Sequence, residues 1–87
     1  MEEKIEQGQL IGRISHYFGN IGVAVIGLFK PVKIGDTLRI VGGETDFTQI
    51  IESMEVDHKK VEEAKKGDSV GFKITQKVRE GYKVYKL

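Results

Sequence analysis

The 87-residue sequence contains no cysteine, no tryptophan, one proline and two histidines. Without cysteine there is no disulfide, no thiolate nucleophile and no thiolate metal ligand. Zinc takes three or four His, Cys or carboxylate ligands in a close cluster, and His16 and His58 stand alone. Ser15 and His16 are adjacent, but strand neighbours point to opposite faces, so they make no catalytic pair. His16 therefore reads as structural. The glycines form no GxxxxGK[ST] loop and no GxGxxG turn opening a helix, so nothing is shaped to cradle a nucleotide. No cofactor and no enzymatic activity are expected. The longest apolar run, Ile21 to Phe29, falls far short of the roughly 20 residues that span a bilayer. Met1-Glu2-Glu3-Lys4 is acidic and polar, unlike a secretory leader. A soluble, cytoplasmic chain with no membrane partner is expected. Asn20 is the single asparagine among many Lys and Glu residues, which fits a thermophilic source.

What is present is enough for one small core. Hydrophobic residues make up 39% and charged residues 31%, a globular rather than disordered balance. The length is that of one domain. The net charge of +1 hides an asymmetry. Residues 1–56 hold 5 basic and 8 acidic residues; residues 57–87 hold 9 and 5. The second half is thus modestly basic and suits an anionic partner, though it lacks a strongly basic arm.

Periodicity predicts a chain of short strands. Residues 1–8 are expected to form a flexible tail ended by Gly8, and residues 9–87 one β-domain. Gln9 to Phe18 alternates, with Leu10, Gly12, Ile14, His16 and Phe18 on one face and Ile11, Arg13, Ser15 and Tyr17 on the other. Gly19-Asn20 suggests a hairpin. Ile21 to Phe29 is apolar on both faces, as expected where one face meets the core and the other a covering loop or partner. Phe47 to Val56 alternates imperfectly, and a bulge near Ile50-Ile51 would reconcile its two parities. Asp57 to Lys66 has helical composition, but only Val61 and Ala64 could form an apolar face. A charged hairpin is expected there, with at most about two turns of helix. Ser69 to Thr75 and Tyr82 to Leu87 complete the set. Val25, Leu38, Ile40, Val70, Phe72 and Val84 are expected to share one core. This number of strands suggests an all-β fold, a small closed or nearly closed antiparallel barrel.

The stretch from Lys30 to Gly43, KPVKIGDTLRIVGG, organises the rest. Gly35 can adopt positive φ, Asp36 can bond a nearby backbone N–H, and Thr37 to Val41 alternates as a strand. This stretch resembles the "GxIKVGDxVEIVG" segment in the second domain of translation elongation factors such as elongation factor Tu. Ile11-Gly12-Arg13-Ile14 resembles that domain's opening strand. Lys66-Gly67-Asp68-Ser69-Val70-Gly71 resembles its "AGDNVG" turn, and Val78 to Val84 its closing "VERGxV" strand. The resemblance implies a β-barrel of the translation-protein type that binds RNA or a ribosome-associated complex. The GTPase domain that accompanies it in the family is absent from these residues.

In that family a "VEMFRK" strand and the Asn of "AGENVG" help hold the aminoacyl end of transfer RNA. Met54 to Lys59 fall on the first, where Glu55 matches the acidic position and His58 stands in place of Arg. Ser69 stands in place of the Asn. The implied binding surface is Glu55, His58, Lys59, Lys60, Lys65, Lys66 and Ser69. A second stretch, Asp46-Phe47-Thr48-Gln49 followed by Ile51-Glu52-Ser53-Met54, is similar to a "DFTQxIExM" pattern in the C-terminal barrel of collagenase-like peptidases. That barrel is an accessory to a separate catalytic domain. It implies the alternative function, a protein-interaction module docking onto an enzyme. Both resemblances imply a non-catalytic module, and fold analogy does not choose between them.

Overall fold

The computed structural model describes residues 8–87. Of the expected N-terminal tail only Gly8 is described; the remainder lies outside the described residues. Ten strands follow in order: β1 (Gln9–Phe18), β2 (Val23–Leu28), β3 (Val32–Lys33), β4 (Thr37–Gly42) and β5 (Thr45–Ile50), then β6 (Met54–Val56), β7 (Lys59–Val61), β8 (Glu63–Ala64), β9 (Ser69–Lys73) and β10 (Lys83–Lys86). No helix occurs among the described residues. Eight strands form one antiparallel sheet in the order β5-β4-β10-β1-β2-β9-β6-β7, and β3 pairs with β8 beside it. The all-β class expected from the sequence is the one observed.

The interior follows the alternation rule on most strands. Leu38 and Ile40 of β4, Val70 and Phe72 of β9, and Val84 of β10 are buried, as their period-2 spacing requires. Val25 is a correction. It faces outward, and Ala24, Ile26 and Leu28 are the buried residues of β2. Because β2 is apolar on both faces, alternation alone could not choose its inner side. The pairings of Ala24 with Phe72 and Ile26 with Val70 settle it.

Strand β1 also departs from simple alternation. Its register slips between Leu10 and Gly12 against β10, and between Ile14 and His16 against β2. Each slip inserts an unpaired residue and reverses the parity beyond it. Ile11 is therefore fully buried, as is Ile14, while His16 and Phe18 face outward. The side-chain oxygen of Ser15, the extra residue of the second slip, bonds the Val25 carbonyl at 3.2 Å.

The expected Phe47–Val56 strand is two strands. Residues 51–53 leave the ladder, and Ile51 turns instead to the Gly35-Asp36 turn: Gly35 N–H donates to the Ile51 carbonyl (2.9 Å), and Ile51 N–H to the Asp36 carbonyl (3.0 Å). A break, rather than a bulge, thus reconciles the two parities. Ile51 and Met54 are buried while Ile50 is 56% exposed.

Two matching turns anchor the short β3–β8 pair. In Lys33-Ile34-Gly35-Asp36 the Asp36 carboxylate accepts from Lys33 N–H at 2.9 Å. In Lys65-Lys66-Gly67-Asp68 the Asp68 carboxylate accepts from Lys65 N–H at 3.0 Å. Each turn has a positive-φ glycine in its third position. Elsewhere Tyr82 lies so close over β4 that a Cβ on Gly42 would collide with its ring.

Candidate functional site

Residues 57–66 contain no helical turn, but the charged hairpin lies earlier than expected: its arms are β6 and β7, while Glu63-Ala64 pair with β3. Asp57 and His58 form its two-residue loop, with φ of 55° and 65°. Two successive positive φ values are the signature of the primed turn that matches strand twist, and Asp tolerates this region better than most residues. In the hairpin ladder Glu55 lies opposite Lys60, Val56 opposite Lys59, and Met54 opposite Val61. Glu55 also faces Gly71 of β9.

The seven residues singled out in the sequence are all exposed. Glu55, Lys60 and Ser69 lie on the outer face of the sheet, because Glu55 opposes Gly71 and Ser69 opposes Gly27. Antiparallel pairing of β6 with β9 directs the His58-Lys59 tip toward the Ser69 end of β9. The Lys65–Asp68 turn joins β9 at that same end. The residues therefore share one end of the molecule, but they enclose no pocket together. No side-chain bond between them is observed among the described residues.

Two surface recesses lie along the seam where the outermost strands of the sheet, β5 and β7, leave off, and Lys60 alone of the seven lines one of them. One, of about 640 Å³, has Ile34, Met54 and Val61 among its walls, with Lys33, Lys60 and Glu62 around them. The other, of about 590 Å³, is bounded by Thr37, Gln49, Ile50, Lys73 and Thr75. Both include Glu52 and Ser53, in the segment where the chain leaves the ladder. Gln49 spans the seam at the second recess. Its amide donates to the Lys73 carbonyl at 2.8 Å, and its oxygen accepts from the Thr75 N–H at 2.9 Å and the Thr75 hydroxyl at 3.2 Å. One side chain thus supplies the donor and acceptor that a neighbouring strand would have offered.

The electrostatics are quiet. No charged or polar residue is buried among the described residues. The Asp46 carboxyl is held below its ordinary value by the Arg39 guanidinium, which binds it in a fork at 2.8 and 2.6 Å. His16 is a surface residue, with Nδ1 3.4 Å from the Glu80 carboxylate and its ring edge-on to Phe18 at 4.3 Å. Among the described residues no three His, Asp or Glu side chains gather as a metal site. None of the described helices could cross a membrane, since there are none.

The outer face of β1, β2 and β9 differs from the rest of the surface. Phe18 opposes Val23, which opposes Lys73; His16 opposes Val25, which opposes Gly71. Phe18 is 43% exposed and Ile21, in the adjoining turn, 57%.

The chain is 45% identical over 78 residues to an uncharacterized protease of Methanocaldococcus jannaschii. The match covers 88% of this chain but 19% of that protein. The C-terminal domain of a U32-type peptidase from Geobacillus thermoleovorans superimposes with a TM-score of 0.85 at 22% identity, over 91% of this chain and 92% of the domain. The chain has the fold of that domain. A selenomethionine variant of the same domain gives 0.84 at 21% identity, over 88% of this chain and 98% of that one. No protein-family profile matches.

These relatives support the peptidase resemblance and lend nothing to the elongation-factor one, nor to RNA or ribosome binding. The residues that carried the peptidase resemblance have structural work. Asp46 pairs with Arg39, Phe47 is in the core, and Gln49 spans the seam. That pattern marks the fold rather than a ligand site. The repeated Lys-x-Gly-Asp turn was legible as two matching tetrapeptides, Lys33 to Asp36 and Lys65 to Asp68. Gln49 carried no such signal, because a glutamine in an exposed strand has no distinctive local chemistry.

Proposed function

We propose that this chain is a non-catalytic accessory barrel of the U32 peptidase type, which docks onto a separately folded catalytic portion. The supporting observation is the pairing of 45% identity across nearly the whole chain with coverage of only 19% of the related protease. A unit that makes up so small a share of a protease reads as an appended module, and among the described residues no side chains form a nucleophile–base pair for hydrolysis. In this reading the partner is protein. Glu55, His58, Lys59, Lys60, Lys65, Lys66 and Ser69 form a polar rim near the docking surface, in place of an RNA-binding face. Mixed-sign charges of this kind suit a solvated interface edge, where they set orientation more than affinity.

The test replaces the matched segment of the full-length M. jannaschii protease with residues 10–87 of this chain. Cleavage of denatured collagen and of casein is then compared for the intact protease, the graft, a protease lacking the segment, and the 87-residue chain alone. The expected result is no cleavage by the free chain, impaired cleavage without the segment, and recovery in the graft. Cleavage by the free chain would refute the non-catalytic assignment. Failure of the graft to recover activity that the intact protease shows would refute the accessory role.

A further inference from the structure

Strand β2 is apolar on both sides, yet only one side is covered. Ala24, Ile26 and Leu28 fill the core, while Val23, Val25 and Gly27 face outward. An antiparallel sheet with one solvated face ordinarily carries polar residues there. Here Val23 and Val25 continue sideways into Phe18, with the His16 ring edge-on against it at 4.3 Å. Directly opposed residues on paired strands share a face, with Cβ atoms about 5 Å apart. These side chains therefore form one patch, extended by the exposed Ile21.

A second feature of the same face is independent of its hydrophobicity. Gly27 and Gly71 sit on it as diagonal neighbours, since Val25 opposes Gly71 and Gly27 opposes Ser69. Neither has positive φ. A Cβ at Gly27 would meet nothing within 4 Å, and one at Gly71 only Val23 Cγ1 at 3.8 Å. Gly42 differs, because Tyr82 occupies the space its side chain would need. Glycine inside a strand weakens it, and where the fold does not require one it marks the close approach of another backbone. The two glycines leave low ground on the face, Gly27 between Arg13 and Ser69 and Gly71 between Val25 and Glu55.

We infer that this outer face of β1, β2 and β9 is the seat of the catalytic portion of a U32-type peptidase. The inference rests on the accessory-barrel reading above. The occupant follows from what lies outside this chain in its relative: the match covers 19% of the M. jannaschii protease, so most of that protein is available to cover the face. The patch has the build of an interface centre, with Phe18, Val23 and Val25 as its apolar middle and Arg13, Glu55, Lys73 and the His16–Glu80 pair as its charged margin. The seam recesses lack this character. Lys33, Lys60, Glu52, Glu62 and Glu63 line the larger one.

Hydroxyl-radical footprinting of the free 87-residue chain and of the full-length graft tests the inference. In the free chain Phe18, Ile21 and Ile50 are all expected to be labelled. In the graft, labelling of Phe18, Ile21, Val23 and Val25 is expected to be lost while Ile50 stays labelled. Gly27→Ile is the discriminating variant. The free variant is expected to keep or raise the wild-type Tm, because its side chain enters open space. In the graft it is expected to restore labelling of Phe18 and Ile21. Protection of Ile50 and the seam, with Phe18 still labelled, would overturn this choice of surface and leave the accessory reading standing. No protection anywhere in a graft that keeps protease activity would overturn docking itself. If the free chain sediments as a dimer that protects Phe18 and Gly27→Ile makes it monomeric, the face takes a second copy and the inference fails.

Discussion

The wall of the molecule and its seam are held by different chemistry. Along the wall, β4, β10, β1, β2 and β9 are joined by backbone ladders over most of their length, and the inward pairs Ile40–Val84, Ile14–Ile26, Ala24–Phe72 and Ile26–Val70 are apolar on both sides. At the seam, the ladder stops at β5 on one side and β7 on the other. Connection passes to the Gln49 amide, to the Gly35-Asp36 turn and to the bond from Ile34 N–H to the Glu62 carbonyl. The wall is specified by a repeating pattern, so a single surface substitution changes little. The seam is specified by individual residues with no redundancy.

The largest expected effect is in the wall. Phe72 is buried opposite Ala24, so Phe72→Ala leaves both a transfer deficit and a cavity. Urea denaturation should show a loss of about 3–5 kcal/mol. A loss under about 1 kcal/mol would mean the wall relaxes as readily as a surface, and the contrast with the seam would disappear.

The next effect is at the seam. Gln49→Ala removes three hydrogen bonds and strands the Thr75 N–H and Lys73 carbonyl. Partial water access limits the cost, and about 1–3 kcal/mol is expected. Hydrogen exchange at the Thr75 amide should accelerate well beyond exchange at Val70. Uniform acceleration across β9 would show that the seam and the wall open together as one unit.

The smallest effect is electrostatic and depends on pH. Asp46 belongs to β5 beside the seam, and its partner Arg39 to β4. The carboxyl pKa is lowered from its ordinary 3.8 chiefly by the Arg39 hydrogen bond; desolvation opposes this, and the Arg39 charge adds the least. A depressed folded-state pKa contributes stability that is present above 3.8 and fades as pH falls through the folded value. NMR titration of the Asp46 carboxyl in Arg39→Gln should return toward 3.8. An unchanged titration would remove Arg39 as the cause. Asp46 is solvent-exposed and Arg39 half-buried, so the effect on folding is small and weakens with salt.

How much of this was legible in the sequence follows the same division. Leu38, Ile40, Val70, Phe72 and Val84 obey strict alternation, and their burial could be read directly. The two slips of β1 could not be read, because Ile11, Ile14 and Tyr17 fit either parity until β10 and β2 impose their registers. Val25 was assigned inward for the same reason. Asp57 to Lys66 was readable as non-helical from its thin apolar stripe, but the hairpin's bounds, Met54 to Val61, were not, because its Asp57-His58 loop lacks the glycine usual in such turns. The proposed docking surface was only half visible. The two-sided hydrophobicity of β2 pointed to a covering loop or partner. The lysines of the second half drew attention to charge instead, and the significance of Gly27 and Gly71 required the register that places them side by side.

The Tyr82 ring over Gly42 ties two residues 40 positions apart into one unit of inheritance. Any side chain at position 42 must displace the ring, and shrinking the ring first leaves a gap over β4. A lineage can therefore leave this pair only by passing through a less fit intermediate or by changing both at once. Among homologues of this chain, glycine at position 42 and an aromatic residue at position 82 should be lost together, even where the surrounding strand surface drifts freely.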